Sequence, residues 1–395
     1  MWRLGFLFHE MAFGLLSIFL PLYIITLNGS LLDLGIITST ALFLTIPASF
    51  FWGYICDKTR HYKRYILISF LSSSIILCLT AFSTSISLLI ILYAIMAVFH
   101  VAHEPPKNVL IAELYSRDKW EKSFALYEGL TELGWLIGLL IGTFVSFAGF
   151  DAKATLLTCC TLNFLAFIHS AIFLTDPLLV FERGLVNIEK SVEFTYKGVT
   201  LASKALDGFP IYEDLKTENL YAFCCGLVFF SFATSTLFTP LPIFFSKNLS
   251  LSASMVFAVY ILNSSAGVVG YFTATNKQYT QEKRTSLLKI VLSRSILTFL
   301  LASFTIIGIY TSMLAALILA LMGFAYALYH VRVLSLSMEL IPAGKAGLFD
   351  VLVSLGSAGG AFLGPFLAQT YDFVCVFLLA GAIFFLAYVT FRIFS

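Results

Sequence analysis

Apolar runs of about twenty residues, the length at which a helix crosses the hydrocarbon core of a bilayer, recur from one end of this chain to the other. They fall at roughly 4–27, 31–55, 65–83, 87–111, 123–149, 154–175, 219–245, 251–274, 286–309, 311–335, 347–370 and 372–392. Inside a bilayer no water is available to the peptide groups, so each run must satisfy its backbone internally, as a helix does. The composition agrees: 59% of the residues are hydrophobic and 12% charged, against about a quarter charged in soluble domains. The fold class expected is an all-α polytopic membrane protein with twelve transmembrane helices. The first run is too long for the apolar core of a signal peptide and lacks a small-residue cleavage site, so it is read as the first span. A net charge of +2 offers no basic surface for nucleic acid.

Most connections are short, which sets neighbouring spans antiparallel. The exception is 176–218, which holds Glu182, Arg183, Glu189, Lys190, Asp207, Asp214 and further charges. It divides the chain into a first half, 1–175, a linker, 176–218, and a second half, 219–395. An interfacial amphipathic helix and a solvated strand of linker both suit its composition. Orientation follows from the placement of Lys and Arg. With an inside N-terminus the inside loops carry Lys58, Arg60, Lys63 and Arg64, then Arg117, Lys119 and Lys122, then Lys277, Lys283 and Arg284, and the linker adds more. The outside loops carry only Lys153 and Lys247. Both termini are therefore expected in the cytoplasm, with the chain in the cell membrane.

The halves repeat one another. Glu128-Gly129-Leu130 in the fifth span is followed by Gly134, Gly138 and Gly142; in the eleventh, Asp350 is followed at the same spacings by Gly356, Gly360 and Gly364. Pro21-Leu22 likewise matches Pro240-Leu241, and Gly53-Tyr54 matches Gly270-Tyr271. Duplicated six-helix halves in parallel orientation are the organisation of one large class of secondary transporters, with the substrate site between the halves.

Between the second and third spans lies Gly53-Tyr54-Ile55-Cys56-Asp57-Lys58-Thr59-Arg60-His61-Tyr62-Lys63-Arg64. This segment resembles the signature of the major facilitator superfamily, Gly-x-x-x-Asp-(Arg/Lys)-x-Gly-Arg-(Arg/Lys). Gly53, Asp57 and Lys58 match directly, and Lys63 and Arg64 match after a one-residue insertion; the inner glycine is missing. Pro105, Glu113 and the glycines before Pro365 also fit, whereas Tyr93 stands at the family's helix-four arginine, and Thr143 follows Gly142 where drug/proton antiporters carry proline. The resemblance spans essentially the whole chain. It implies two pseudo-symmetric six-helix halves that rock about a midplane site, lined by the first, fourth, seventh and tenth helices. It also implies that Gly53, Asp57, Lys58, Arg60, Lys63 and Arg64 bias the exchange between states. Asp57 is expected near a helix N-terminus, where the dipole favours a carboxylate, and the cations against carboxylates or helix C-termini. A plain topology signal is the competing reading of the four cations.

Charged groups inside a bilayer are costly and serve either function or a pairing network. Glu128 and Glu132 are four apart and so share one helix face. Two close carboxylates in a low dielectric cannot both ionise cheaply, so one is expected to hold a proton and to exchange it as water access alternates. Glu10, two turns into the first span, is a candidate for coupling or solute contact, together with His9, His103 and Tyr127. A static network in which Lys107 or His103 neutralises the acids is the alternative. Arg332 and Asp350 are expected to pair, mirroring Lys107 and Glu128. His100, His103 and Glu104 have no recognised metal spacing, and no metal or other cofactor is expected. Tyr23, Tyr93, Tyr127, Tyr326 and Tyr329 are aromatic candidates for the cavity wall, with packing the default for each.

The seven cysteines show no Cys-x-x-Cys spacing and read as packing residues. Asn28-Gly29-Ser30 and Asn248-Leu249-Ser250 are sequons in short outside turns, and Asn263-Ser264-Ser265 reads as small-residue packing. The chain has no phosphate-binding loop and no dinucleotide fingerprint. The function expected is secondary active transport of a small organic solute, by a monomer coupled to protons, with no enzymatic activity. Few charges per helix favour a neutral or hydrophobic solute, and uptake and efflux are both open. A non-transporting sensor or lipid-handling protein on the same scaffold is the alternative.

Overall fold

The computed structural model describes residues 3–107, 110, 120–176, 220–275, 283–307, 312–340 and 347–394. The linker beyond Asp176, the cations Arg117, Lys119 and Lys277, and the side chain of Asp57 lie outside the described residues. The described elements are helical. In the first half they are α1 (Arg3–Thr26), α2 (Leu31–Thr59), α3 (Tyr62–Ala81), α4 (Ile86–His100), α5 (Trp120–Phe147) and α6 (Ala152–Phe173). A 3-10 turn, Val101–His103, carries α4 on into residues 104–107. The second half holds α7 (Leu220–Phe238), α8 (Leu241–Lys247), α9 (Ala253–Thr275), α10 (Lys283–Ile307), α11 (Ser312–Leu340), α12 (Gly347–Thr370) and α13 (Phe373–Phe394). With α7 and α8 counted as one span, twelve are long and apolar enough to cross a membrane.

Several boundaries differ by a few residues from the sequence expectation, and two of the differences have a clear local reason. The seventh span breaks because Pro240 and Pro242 lack the backbone N–H that the helical ladder needs; the chain restarts at Leu241 on the Pro240 carbonyl, which accepts from Ile243 at 3.1 Å. The second span is longer than expected. Its start is fixed by a capping box, in which Ser30 N–H donates to Asp33 Oδ2 at 2.7 Å and Asp33 N–H to Ser30 Oγ at 3.1 Å. It then runs through Gly53 and Asp57 to Thr59, and ends where Arg60 turns left-handed (φ 55°) and donates its N–H to Cys56 O at 2.8 Å. The charged segment is therefore the last turns of α2, a turn at Arg60–His61 and the first turn of α3.

Glycines set the internal packing of both halves. A Cβ on Gly138 of α5 would lie 2.1 Å from Met11 O of α1, and a Cβ on Gly360 of α12 would lie 2.1 Å from Phe232 O of α7. Only a residue without a side chain lets these backbones approach so closely. The α1–α5 contact of one half is thus repeated as the α7–α12 contact of the other, as the glycine repeat implies.

The halves meet along two helix pairs, α2 with α12 and α5 with α9. At the end that carries Asn28 and Asn248, the Leu32 N–H of α2 donates to Gln369 Oε1 of α12 at 2.6 Å. Close by, a Cβ on Gly35 would sit 3.2 Å from Pro365. In the other pair Gly142 of α5 lies against the Phe257 ring of α9. These contacts join the halves at that end, and a cavity also lies in the interface.

Candidate functional site

The cavity measures about 250 Å³ and takes its wall from both halves. α1 contributes Ser17 and α5 contributes Glu132 and Trp135; α7, α9, α10 and α11 add Thr234, Tyr271, Arg294 and Tyr326 among others. This shared lining puts the cavity at the interface of the two halves.

Glu132 sits at the seam. Ser264 Oγ of α9 donates to Glu132 Oε1 at 2.5 Å, a hydrogen bond from one half to the other. A Cβ on Gly267, one turn along α9, would come within 3.3 Å of the same oxygen. Both α9 positions are small, so the carboxylate reaches the partner half and still faces the cavity. The sequon-like Asn263-Ser264 pair therefore does more than pack. Asn263 Nδ2 donates to Leu319 O of α11 at 2.6 Å, while Ser264 binds the acid.

Arg294 forms part of the opposite wall. It is 1% exposed, the largest of the fully buried side chains. One guanidinium nitrogen donates to Met322 O at 2.9 Å and another to Thr234 Oγ1 at 3.3 Å. Nε has no hydrogen-bond partner. Around the group stand the rings of Phe230, Phe238, Tyr326 and Phe384, with centroids 5.0 to 5.7 Å from the guanidinium carbon. Such rings stabilise a cation but do not neutralise it. Among the described residues no carboxylate lies within ion-pairing distance of it.

A second polar group lies along α1, α4 and α5. Among the described residues Lys107 forms an ion pair with Glu104, one turn back on the same helical segment, and His103 Nε2 lies 3.1 Å from Glu104 Oε1. Lys107 thus pairs with Glu104 rather than with Glu128, because the i,i+3 neighbour on its own helix is nearest. Its ammonium also lies 5.4 Å from the Tyr127 ring. Glu128 and Asp350 remain within its electrostatic reach, and Glu10 lies in the field of Glu104, Lys107, Glu128 and Glu132. No ion pair between Arg332 and Asp350 is among those of the described residues.

His9 and His103 turn away from the cavity into the first half. Both are buried, and with His100 they form a contiguous cluster beside Asn163 of α6 and Ser69 of α3. Tyr127 is 2% exposed and packs edge-on against Phe6. Of the five tyrosines considered for the wall, Tyr326 lines the cavity, while Tyr329 stacks on Phe230 and Tyr23 donates to Ser83 O at 3.1 Å. Tyr260 and Tyr271, which sequence reasoning passed over, do line it. Arg294 was visible as an intramembrane charge, but nothing in its neighbours along the chain marks it as a cavity residue.

In the charged segment Lys63 has a clear structural role. Its Nζ donates to Ala171 O in the last turn of α6 at 2.7 Å, and its N–H donates to Asp176 Oδ1 at 2.7 Å. That cation caps a helix C-terminus, as expected, but within its own half. Lys58 lies 5.7 Å from the Tyr54 ring, and no heavy atom lies within 4 Å of a Cβ built on Gly53. The Asp57 backbone lies in the final turn of α2, and its expected contact with a helix N-terminus falls outside the described residues.

The comparisons with known proteins agree with this architecture. The sequence profile described as the Major Facilitator Superfamily matches residues 4–349. No curated protein matches the chain in sequence. Among solved structures it is similar to the human organic anion transporter MFSD10, with a TM-score of 0.70 at 15% identity over 99% of this chain and 97% of that one. The xylose transporter XylE from E. coli, in a partially occluded inward-open conformation, gives 0.71 at 13% identity over 98% and 97%. A structure from work on proton-dependent oligopeptide transporters gives 0.77 at 14% over 100% and 97%. At these identities the likeness is one of fold.

Proposed function

Because the chain belongs to the Major Facilitator Superfamily and has twelve candidate membrane spans, we propose that it is a secondary active transporter. It moves a small organic solute by alternating access between its halves and couples that movement to protons. The observation that carries this reading is the cavity between the halves, with a carboxyl group, Glu132, held across the seam by Ser264. A carboxyl group at that position feels any movement of one half against the other. Binding, opening and protonation at one seam are thereby linked, and a ligand shifts the equilibrium by its differential affinity for the two states. Glu10 lies in the electrostatic field of Glu132, Glu128 and Lys107.

Arg294 narrows the solute. A buried cation whose hydrogen bonds go only to a carbonyl and a hydroxyl is poorly compensated. An anionic group on the solute, a carboxylate for instance, completes it, and the surrounding rings accept an apolar body. The solute is thus an amphipathic organic anion rather than the neutral molecule that the charge count along the helices favours.

Lys and Arg placement sets both termini in the cytoplasm of a cell-membrane protein. The end that carries Asn28 and Asn248 is then the outer one. The transporter works as a monomer, since each chain brings both halves of the cavity.

The test is uptake into vesicles containing purified protein and an imposed proton gradient, using a panel of small aromatic carboxylates and their amides. Gradient-driven accumulation of a carboxylate but not its amide supports both the activity and the solute class. Failure to accumulate or exchange any member of the panel contradicts the reading.

A further inference from the structure

His9 on α1 and His100 and His103 at the end of α4 bring one ring nitrogen each to within 4.8 Å of one another. Their hydrogen bonds decide which nitrogens are free. Asn163 Nδ2 donates to Cys159 O at 3.1 Å, so its Oδ1 is the atom facing His9 Nδ1 at 2.6 Å. His9 must therefore donate from Nδ1, and in the neutral imidazole the lone pair is left on Nε2. His103 Nδ1 faces the His100 carbonyl at 2.6 Å, so it too donates, and its lone pair is on Nε2. That nitrogen faces Glu104 Oε1 at 3.1 Å, and His9 Nε2 faces His100 Nδ1 at 3.1 Å. The His9–His100 contact is satisfied by a proton on His100 Nδ1 and the His103–Glu104 contact by a proton on His103 Nε2; a metal ion among the three imidazoles relieves both without either proton.

We propose that His9, His100 and His103 bind one divalent transition-metal ion of the zinc class, with Glu104 beside His103. Three imidazoles, with a fourth position left for water or a carboxylate, make a donor set that suits zinc, cobalt or nickel. Metal bonds of about 2.0–2.1 Å place tetrahedral ligand atoms about 3.3 Å apart. His9 Nε2 and His100 Nδ1, 3.1 Å apart, already meet that spacing, and His103 has a ring nitrogen within 4.8 Å in the same cluster. Metal-binding histidines characteristically donate their second ring N–H to an amide, carbonyl or carboxylate. His9 has Asn163 and His103 has the His100 carbonyl in that role. His9 and His103 are buried, while Glu104 is 37% exposed and gives the ion its way in. The ion would clasp α1 to α4 inside the first half. Spacing within the fourth span could not show this site, because its first ligand comes from the first span.

The site is independent of solute transport, and its test reads metal directly. Purified protein carrying a tag without histidine is stripped with chelator and titrated with Co²⁺, whose visible absorption reports nitrogen ligation, and then with Zn²⁺ in equilibrium dialysis. Wild type should bind one equivalent, and Zn²⁺ should raise its unfolding temperature. His9→Asn and His103→Asn should each weaken binding more than about tenfold, while His330→Asn should bind as wild type. A His9→Asn or His103→Asn protein that elutes as an intact monomer yet keeps wild-type affinity overturns the site. So does a wild-type protein that binds no stoichiometric metal, in which case the three imidazoles share protons instead.

Discussion

Ser264 and Glu132 tie the two halves together: a hydroxyl on α9 donates 2.5 Å to a carboxylate on α5, and the two side chains belong to opposite halves. Ser264 and Gly267 are both small, which lets the carboxylate reach across, and under the proposed alternating access a movement of one half against the other would break this contact. A hydrogen bond to a charged acceptor is worth about 1.5–3 kcal/mol. The state described here is favoured by that order of energy whenever Glu132 is ionised.

Ser264→Ala should therefore shift the conformational equilibrium about 10- to 100-fold away from this state. The change should be visible as altered distances between spin labels placed on the two halves. A distance distribution identical to wild type shows that the bond does not bias the exchange.

Arg294→Gln removes the buried cation and keeps much of its reach. Binding of an aromatic carboxylate, measured by calorimetry on purified protein, should weaken at least about tenfold, since hydrogen bonds to charged groups contribute about 1.5–3 kcal/mol. Binding of the matching amide should change little. Arg294→Lys should recover only part of the loss, because an ammonium is a point donor and a guanidinium a planar fork.

Gly138→Ala and Gly360→Ala should each lower thermal stability in detergent by a similar amount. The added Cβ would stand 2.1 Å from a carbonyl oxygen in both cases, so a backbone must move. Overpacking of this kind costs about 1–3 kcal/mol. Gly53→Ala is the control, since a Cβ there meets no heavy atom within 4 Å.

Within the charged segment, Lys63 and Asp57 should separate. Lys63→Ala removes a cap that lies wholly inside the first half, so it should reduce stability slightly and leave cysteine accessibility on the two faces unchanged. Asp57→Asn should leave insertion intact and shift that accessibility. If Asp57→Asn also leaves it unchanged, the segment is a topology signal alone.

The glycine repeat shows what a sequence of this kind carries well. Gly134, Gly138 and Gly142 are four apart, so they must share a face, and their copies at 356, 360 and 364 place the same contact in the second half. The twelve spans were legible for a similar reason, since length and apolarity are local properties. Glu132 could be singled out because its neighbour Glu128 is one turn away. What the sequence could not carry were contacts between distant spans. Nothing near Arg294 along α10 announces Thr234, Met322 or the four rings around it, and nothing in α4 announces His9. The break at Pro240 was written in the chain and passed over, because the apolar run continues through it. The extension of α2 through Asp57 was hidden by charge, which reads as a loop although it does not stop a helix.

Proton coupling through Glu132 is tested most directly by comparing uphill accumulation with exchange in Glu132→Gln vesicles. The glutamine keeps an acceptor for Ser264 and cannot carry a proton. The variant should retain exchange of labelled for unlabelled carboxylate and lose accumulation driven by a proton gradient, together with solute-dependent proton flux. A Glu132→Gln protein that accumulates solute and moves protons as wild type does would contradict the assignment.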